Sequence, residues 1–179
     1  YQSGKKLDNC LYIIETINLI DLYNVIEEQI LAFQQVSYNI STLFHVLHNG
    51  RGLNTMLKTA YKMIQNPIVI CDSSYTVLDS YPAIEDNRNL EIRNRRLSLK
   101  EVFTENMISE KITDRIYHSV YPFVTKVEDY PYDWIFESIR IKRAVVGYLC
   151  IRCIEKKCVP NDLEIIHSLS QMISIQLQK

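Results

Sequence analysis

The chain has few of the residues that interrupt regular structure, since its 179 residues include only four glycines and five prolines. It also lacks internal repeats and low-complexity tracts. Few breaks are therefore predicted, and the organisation has to be inferred from the periodicity of apolar residues. Length and composition together indicate one domain with an attached element.

Long hydrophobic runs are also missing. No apolar run approaches the roughly 20 residues that a membrane-spanning helix needs, and the first residues contain no signal-peptide core. We therefore expect a cytoplasmic segment without membrane contact. The chain begins without methionine and in the middle of a pattern, so we expect it to be a fragment of a longer protein.

Neither sign of charge is in excess, because 20 lysines and arginines stand against 21 aspartates and glutamates, with a net charge of −1. Binding to a nucleic-acid backbone usually requires a basic face. We expect this segment itself to make no contact with nucleic acid.

Catalytic motifs are absent as well: there is no glycine-rich phosphate loop, no G-x-S-x-G and no H-E-x-x-H. Carboxylate pairs such as Glu101/Glu105 and Glu128/Asp129 are more typical of solvated surface than of acid–base catalysis. The sequence therefore predicts neither an enzyme nor a resident cofactor.

The five cysteines are an odd number in a chain without a secretory signal, so reduced thiols are expected. Cys150 and Cys153 have the spacing of a zinc knuckle, but residues three apart on a strand point to opposite faces. His45 and His48 could meet on a helix, yet no matching ligand pattern follows them. We predict no metal site.

A long helix is predicted from about Asp21 to about Leu47, where Asn49-Gly50 provides a stop. Apolar residues recur in it at heptad spacing: Leu19, Leu22, Ile26, Phe33, Val36, Ile40, Leu43 and Leu47. Such a seam packs along the domain's own sheet or pairs with a second copy, and its width allows both. The predicted homodimer contacts are Ile26, Phe33, Val36, Ile40 and Leu43. We expect an N-terminal segment over 1–50 and a second domain over 51–179.

A second helix, Leu53 to Ile64, ends before Asn66-Pro67, because proline cannot continue a helix. Two short apolar runs of β type then meet at an Asp-Ser-Ser turn that begins at Asp72, which predicts a hairpin. Before the long helix, the run 11–14 (Leu-Tyr-Ile-Ile) suits a strand and a helical turn equally well.

The middle of the chain is polar. Residues 81–96, including the charged run Arg93 to Arg96, are typical of solvated surface. From Ser98 to about Val120 we predict one or two short helices, with Ser98 and Glu101 forming a capping box.

Three β-type runs follow: Phe123 to Val127, Trp134 to Ile141 and Ala144 to Ile154. Only Lys142-Arg143 separates the last two, which predicts another hairpin. A final helix is predicted after Pro160, with Asn161 and Glu164 framing its start.

The resulting order is helices, two strands, a helical insert, three strands and a helix, which is the order in PAS-type sensor domains and, in similar form, in GAF domains. We therefore predict an α+β fold: a PAS/GAF-like antiparallel five-stranded sheet with helices on one face. A long N-terminal helix would precede it and a C-terminal connector helix would follow it. A cavity is expected where the insert crosses the sheet.

The candidate ligand site follows from aromatic residues near the late strands. By alternation, Trp134, Phe136 and Arg140 share one face of their strand, and Tyr121 precedes the neighbouring strand. Aromatic walls with one guanidinium suit a small planar or anionic metabolite. In the alternative interpretation, the aromatic residues pack under helices and Arg140 is solvated.

The chain also resembles a known family. Its residues from Leu53 to Tyr81 read L-N-T-M-L-K-T-A-Y-K-M-I-Q-N-P-I-V-I-C-D-S-S-Y-T-V-L-D-S-Y, and V-V-G-Y-L at 145–149 and Asp-Leu at 162–163 follow. These segments resemble the sensor region of PucR-like bacterial transcription regulators over about 50–179. The resemblance implies a PAS- or GAF-like signal-input domain that forms a homodimer, senses a small molecule and is joined to a C-terminal DNA-binding helix-turn-helix, which this fragment would lack. The alternative is a dimerisation or scaffold module whose core is filled by its own side chains.

Overall fold

The computed structural model describes residues 16–84 and 90–178. The run at 11–14 lies outside the described residues. The helices are α1 (Leu19–His48), α2 (Gly52–Ile64), α3 (Glu101–Ser109), α4 (Ile112–His118) and α5 (Pro160–Gln176). The strands are β1 (Ile68–Asp72), β2 (Val77–Tyr81), β3 (Leu90–Arg93), β4 (Arg96–Leu99), β5 (Phe123–Lys126), β6 (Asp133–Ile141) and β7 (Ala144–Arg152).

Five of these strands form one antiparallel sheet in the order β2-β1-β7-β6-β5. The predicted α+β architecture is confirmed, with its five-stranded antiparallel sheet, long N-terminal helix and C-terminal helix. None of the helices in the described part of the chain is both long and apolar enough to cross a membrane.

The β1–β2 hairpin turns where the sequence predicted. The Oδ1 atom of Asp72 accepts hydrogen bonds from the backbone N–H groups of Ser74 (2.8 Å) and Thr76 (2.9 Å). An aspartate side chain that bonds its own backbone two residues on is a turn-forming element. Asp72 is thus a turn residue, as expected.

Helices contact both faces of the sheet, whereas the sequence predicted one. On one side, here called the helical face, α2, α5 and the second half of α1 cover apolar residues of β1, β6 and β7: Ile68, Ile70, Ile135, Ile139, Leu149 and Ile151. On the other side, the insert face, α3, α4 and β3–β4 cover Val69, Cys71, Trp134, Phe136, Tyr148 and Cys150. Central strands that are apolar on both faces must be covered on both.

A second hairpin replaces the solvated loop expected before α3. Strands β3 and β4 pair with each other, and Asn94 and Arg95 form their turn with φ of 51° and 64°. The charged run from Arg93 to Arg96 is therefore this exposed turn. Leu90 and Leu99, at the other end of the hairpin, are buried. Ser98 lies in β4 and does not cap α3, which begins at Glu101.

The chain divides into two compact units, one ending at Gln34 and the other beginning at Gln35. The boundary lies within α1 and not after residue 50, because Leu43 and Leu47 are buried in the core of the second unit and Val36 is buried as well. Leu43 is 0% exposed, so it has no surface to offer a second copy.

The predicted dimer seam is therefore corrected at Leu43 and Val36, which pack within the chain, and Ile40 is partly buried against the same core. In the first unit, the seam residues Ile26 and Phe33 are exposed, Phe33 to 73%.

Asn66, just before Pro67, joins two distant parts of the chain. Its side chain is fully buried. Its Oδ1 atom accepts hydrogen bonds from the backbone N–H groups of Glu155 (3.1 Å) and Lys156 (3.2 Å), and its Nδ2 donates to the Lys156 carbonyl (2.8 Å). The end of α2 is thereby tied to the loop that connects β7 with α5.

Helix α5 begins at Pro160, as predicted, but Asp162 caps it. The Asp162 carboxylate accepts hydrogen bonds from the Val159 backbone N–H and from the Lys156 ammonium, both at 3.0 Å. Asn161 and Glu164 were expected to frame this start, whereas the structure gives the capping bond to Asp162 alone.

Candidate ligand-binding site

The four predicted ligand residues do not come together at one place. Trp134 and Phe136 are buried on the insert face. Tyr121 is exposed, and its hydroxyl donates to Glu164 Oε1 on α5 at 2.6 Å. Arg140 lies farther along β6. The prediction that Trp134 and Phe136 share a face is confirmed. Tyr121 lies apart from them, next to Glu164 of α5.

Arg140 is engaged with protein oxygen atoms. Its guanidinium donates to the backbone carbonyls of Tyr117 and Ser119, and its Nε donates to the Ser138 hydroxyl at 3.0 Å. These bonds hold the end of α4 and the segment after it against β6. Arg140 is therefore a structural link and not the free cation that the sequence suggested.

The aromatic residues near Trp134 pack against one another. The Trp134 and Phe136 rings stack with centroids 6.0 Å apart and planes inclined by 9°. Phe103 of α3, Tyr130 and Tyr132 surround the indole at centroid distances of 4.9 to 5.6 Å. Phe136 is completely buried, in agreement with the alternative in which these side chains form a core.

A small cavity of about 20 Å³ lies beside Trp134, between the insert face and the β3–β4 hairpin. We call it the insert-side cavity. Its lining residues are Val69, Ile84, Leu90, Leu99, Trp134, Cys150 and Arg152. A space of this size holds about one water molecule, so a metabolite requires the hairpin to move away.

Two residues that line this cavity each carry a buried N–H group without a hydrogen-bond partner among the described residues: Trp134 Nε1 and Arg152 Nε. Trp134 and Arg152 are directly paired across β6 and β7, so their side chains lie on the same face. A buried donor without an acceptor costs about 1–3 kcal/mol. Two such donors at one cavity are suited to a ligand that carries an acceptor group.

No protein-family model and no curated protein matches the chain. Among solved structures, the chain is similar to the cofactor-binding GAF domain of the nutrient sensor CodY from Clostridium difficile, with 8% identity and a TM-score of 0.49 over 84% of this chain and 97% of that one. A GAF domain from an Acinetobacter phosphoenolpyruvate-protein phosphotransferase has 12% identity and a TM-score of 0.43 over 90% and 95%.

The nlh2 GAF domain of A. aeolicus, in an inactive state, has 13% identity and a TM-score of 0.51 over 83% of this chain and 99% of that one. The fold is GAF-like. At these identities the similarity concerns the fold, and the sites of this GAF-like domain have to be argued from its own residues.

One buried thiol on the insert face of the GAF-like domain has a raised pKa. Burial raises the pKa of the Cys150 thiol well above its ordinary value, and the neighbouring Cys71 adds to the effect. Burial likewise raises the pKa of the Tyr148 hydroxyl. Since the thiolate is the reactive form of cysteine, Cys150 is a packing residue of the sheet and not a nucleophile.

Cys150 and Cys153 lie on opposite sides of the sheet, as their spacing predicted. Cys150 belongs to the insert face, whereas Cys153 packs against the helical face. Within residues 16–84 and 90–178, no group of three or more histidine, cysteine, aspartate or glutamate side chains could hold a metal ion.

Arg152 was missed by sequence reasoning, which named Arg140 as the cation of the aromatic site. Both arginines lie near strand ends. The signal that distinguishes them is the register of β6 against β7, which pairs Trp134 with Arg152.

Proposed function

We propose that this chain is the signal-input domain of a bacterial transcription regulator, which senses a small molecule in the insert-side cavity. The observation that carries the proposal is the pair of unpartnered buried donors, Trp134 Nε1 and Arg152 Nε, at one cavity of a GAF-like fold. Buried polar groups are normally satisfied. An acceptor supplied by a ligand would satisfy both.

The chemistry of the cavity favours a small planar or anionic metabolite. Arg152 can bind a carboxylate, and the Trp134 N–H can donate to the same group or to a carbonyl. Val69, Leu90 and Leu99 supply apolar contacts for the remainder of the molecule. A small aromatic or branched aliphatic carboxylate combines these features.

The β3–β4 hairpin is the element that would admit this ligand. An isolated two-stranded hairpin is marginally stable, and β3–β4 forms a sheet separate from the five-stranded one. Leu90 and Leu99 close the cavity from this hairpin. Moving the hairpin enlarges the cavity and leaves the pairs of the five-stranded sheet intact, at the cost of the Leu99 N–H bond to the Tyr75 carbonyl and the bridge between Ser98 and Thr76.

Ligand binding is expected to raise the melting temperature and change the fluorescence of Trp134, the only tryptophan in the chain. A ligand at 100 times its Kd stabilises the folded state by about 2.7 kcal/mol. The measurement is a thermal-shift screen of aromatic and aliphatic carboxylates, followed by fluorescence titration of each compound that stabilises the domain. Arg152→Met is expected to weaken binding about tenfold or more, because it removes a charged donor.

Arg143→Met is the matched control, because Arg143 is exposed in the turn between β6 and β7. Equal affinities of the wild type and Arg152→Met would contradict the assignment of this cavity. If no compound in the screen stabilises the domain, the result supports the alternative function, a scaffold module whose core is filled by its own side chains. The observation in support of that alternative is the cavity volume of about 20 Å³, which the side chains leave in this conformation.

We further propose that the regulator is PucR-like and acts in the cytoplasm. The support is the resemblance of the segment from Leu53 to Tyr81 together with the GAF-like fold. In this arrangement α5 leads toward a helix-turn-helix, and DNA is bound there and not by the sensor domain. Reading the protein sequence that follows residue 179 in its natural source tests the proposal, because a basic helix-turn-helix is expected.

We propose in addition that the chain forms a homodimer through residues 19–34 of α1. Exposed apolar side chains continue the heptad seam there: Leu19, Ile26 and Phe33. A seam with this spacing is complementary to a second copy of itself. Light scattering is expected to give twice the chain mass of 21.1 kDa.

The double variant Ile26→Glu, Phe33→Glu is expected to give a monomer, because it places charges in the seam. Leu31→Glu is the control, because Leu31 is exposed but lies on the opposite side of the heptad. A mass of 21.1 kDa for the wild type at all concentrations would contradict the dimer.

A further inference from the structure

A buried carboxylate interrupts the helical face of the sheet. Glu137 on β6 lies between Ile135 and Ile139 on that face and is only 3% exposed, whereas both isoleucines are 0% exposed. Burying a charge is costly unless it is paired. An apolar residue at this position would stabilise the core more than a carboxylate does. The presence of Glu137 therefore indicates a function other than packing.

Only one of the two carboxylate oxygen atoms is occupied. Oε1 lies 3.0 Å from His167 Nδ1 and accepts a hydrogen bond from the Ser170 hydroxyl at 3.2 Å. Oε2 is buried and has no partner among the described residues. A site for one further donor is therefore left at Oε2.

The histidine beside Glu137 has a contact at each ring nitrogen. Nδ1 faces Glu137 Oε1, and the amide nitrogen of Gln171 lies 3.0 Å from Nε2. These two contacts fix the orientation of the imidazole ring beside the carboxylate.

The other charged group in the vicinity is Arg140, whose bonds go to Ser138 and to the backbone carbonyls of Tyr117 and Ser119. No salt bridge joins it to Glu137, whose single ion-pair contact in the described part of the chain is with His167. Burial raises the pKa of the Glu137 carboxyl, while the hydrogen bond and charge of His167, the Ser170 hydroxyl and the charge of Arg140 act against that rise.

Glu137 lines a groove of about 350 Å³ between β6 and α5, which we call the connector groove. Ser170, Gln171 and Ser174 of α5 form one wall, Ser138 and Arg140 of β6 line the groove beside Glu137, and Val120 and Ile175 contribute apolar surface. This volume lies within the range of small-molecule sites. A groove that combines polar groups with apolar surface suits an aliphatic molecule with one polar end.

We propose that the connector groove binds a small aliphatic molecule through a primary ammonium group that donates a hydrogen bond to Glu137 Oε2. The ammonium supplies the donor that Oε2 lacks. Charge-assisted hydrogen bonds of this kind are about twice as strong as neutral ones. The groove lies on the helical face, so the site is independent of the insert-side cavity and stands whether or not that cavity takes a ligand.

Such a ligand would connect β6 to α5. Its ammonium is held by the strand, and its aliphatic part lies along Ser174 and Ile175 of the helix. Binding in the connector groove is therefore expected to affect the position of α5.

The test uses n-butylammonium chloride as the probe in titrations of the wild-type chain by calorimetry and by the ¹⁵N chemical shifts of the His167 ring. Saturable binding is expected, together with a shift of the His167 nitrogen signals. Glu137→Gln keeps the size of the side chain and removes its charge, and it is expected to weaken binding at least about tenfold. Tetramethylammonium chloride, which has the charge but no N–H, is expected not to bind.

Glu164→Gln is the matched control, since Glu164 is an exposed carboxylate on the same helix and its loss is expected to leave binding unchanged. Replacing Glu137 removes a buried charge, so the variant is expected to fold. The proposal is overturned if butylammonium gives no saturable signal, or if it binds the Glu137→Gln variant as well as the wild type. Equal binding of tetramethylammonium would also overturn it.

Discussion

Replacing Asn66 with alanine is expected to lower the free energy of unfolding by about 3 kcal/mol. The fully buried amide makes three hydrogen bonds to the backbone of Glu155 and Lys156. Alanine removes all three and leaves two N–H groups and a carbonyl without their partner. Small domains have a total stability of about 5–15 kcal/mol, so this one change removes a large share of it.

Urea unfolding followed by circular dichroism measures this effect. Asn54→Ala is the control, because the Asn54 amide is exposed and donates one long hydrogen bond, 3.3 Å, to Asp79. Exposed substitutions of this kind change stability by about 0.5 kcal/mol or less. Similar losses in the two variants would show that the bonds of Asn66 do not hold α2 to the loop before α5.

Alanine at Gly147 is expected to destabilise the domain by about 3 kcal/mol. A Cβ atom built there lies 2.3 Å from the carbonyl oxygen of Cys71. That oxygen belongs to the backbone of β1, the strand paired with β7, so it cannot rotate away as a side chain can. Strand β1 must shift, and its pairing with β7 is weakened.

Gly50→Ala separates this steric effect from the general cost of replacing glycine. Gly50 has φ of +62°, and nothing lies within 4 Å of its added Cβ. Gly50→Ala is therefore expected to lower the free energy of unfolding by about 1 kcal/mol, because alanine disfavours a positive φ. We expect the urea midpoint to fall clearly further for Gly147→Ala, and equal midpoints would refute the close approach of β1 to β7.

Elements with strong local signals were predictable from the sequence. Pro67 ends the helical pattern, Asp72 forms its turn, and Lys142-Arg143 is short enough that only a hairpin fits between two apolar runs. These signals act over two to six residues, so no knowledge of distant packing is needed.

The second hairpin was not predictable in the same way. Strands β3 and β4 are four residues each, and their turn is Asn94-Arg95 within a run of charged residues. The positive φ values of both turn residues mark a hairpin turn, but only Asn94 is a residue type that favours it. The hairpin exists because Leu90 and Leu99 bury themselves on the insert face, which is a tertiary effect.

Which arginine lies beside Trp134 depends on the register between β6 and β7. A two-residue turn at Lys142-Arg143 pairs Ile141 with Ala144, and unbroken pairing would set Trp134 opposite Ile151. A bulge between Ile139 and Arg140 shifts the register by one residue and sets Arg152 there instead. No sequence pattern marks this bulge.

The buried carboxylate, by contrast, had a signal. The alternation along β6 puts Glu137 on the same face as Ile135 and Ile139, and a single charge in an apolar face is unusual. The unpaired state of its Oε2 could not be foreseen, because it depends on where His167 and Ser170 of α5 lie.

The β3–β4 hairpin on the insert face is held less firmly than the central strands of the sheet. This difference determines which part of the domain opens first. The core strands β1, β7 and β6 are paired on both sides, whereas the β3–β4 hairpin is a separate two-stranded sheet. It is attached through the buried Leu90 and Leu99, a hydrogen bond from the Leu99 N–H to the Tyr75 carbonyl (2.9 Å) and a bridge between Ser98 and Thr76. Local opening free energies in proteins range from near zero to the global value. In this domain, we expect a low opening free energy for the β3–β4 hairpin and a high one for the central strands. Exposure of the Trp134 side chain and global unfolding are therefore separate events, and solvent can reach the indole while the sheet remains intact.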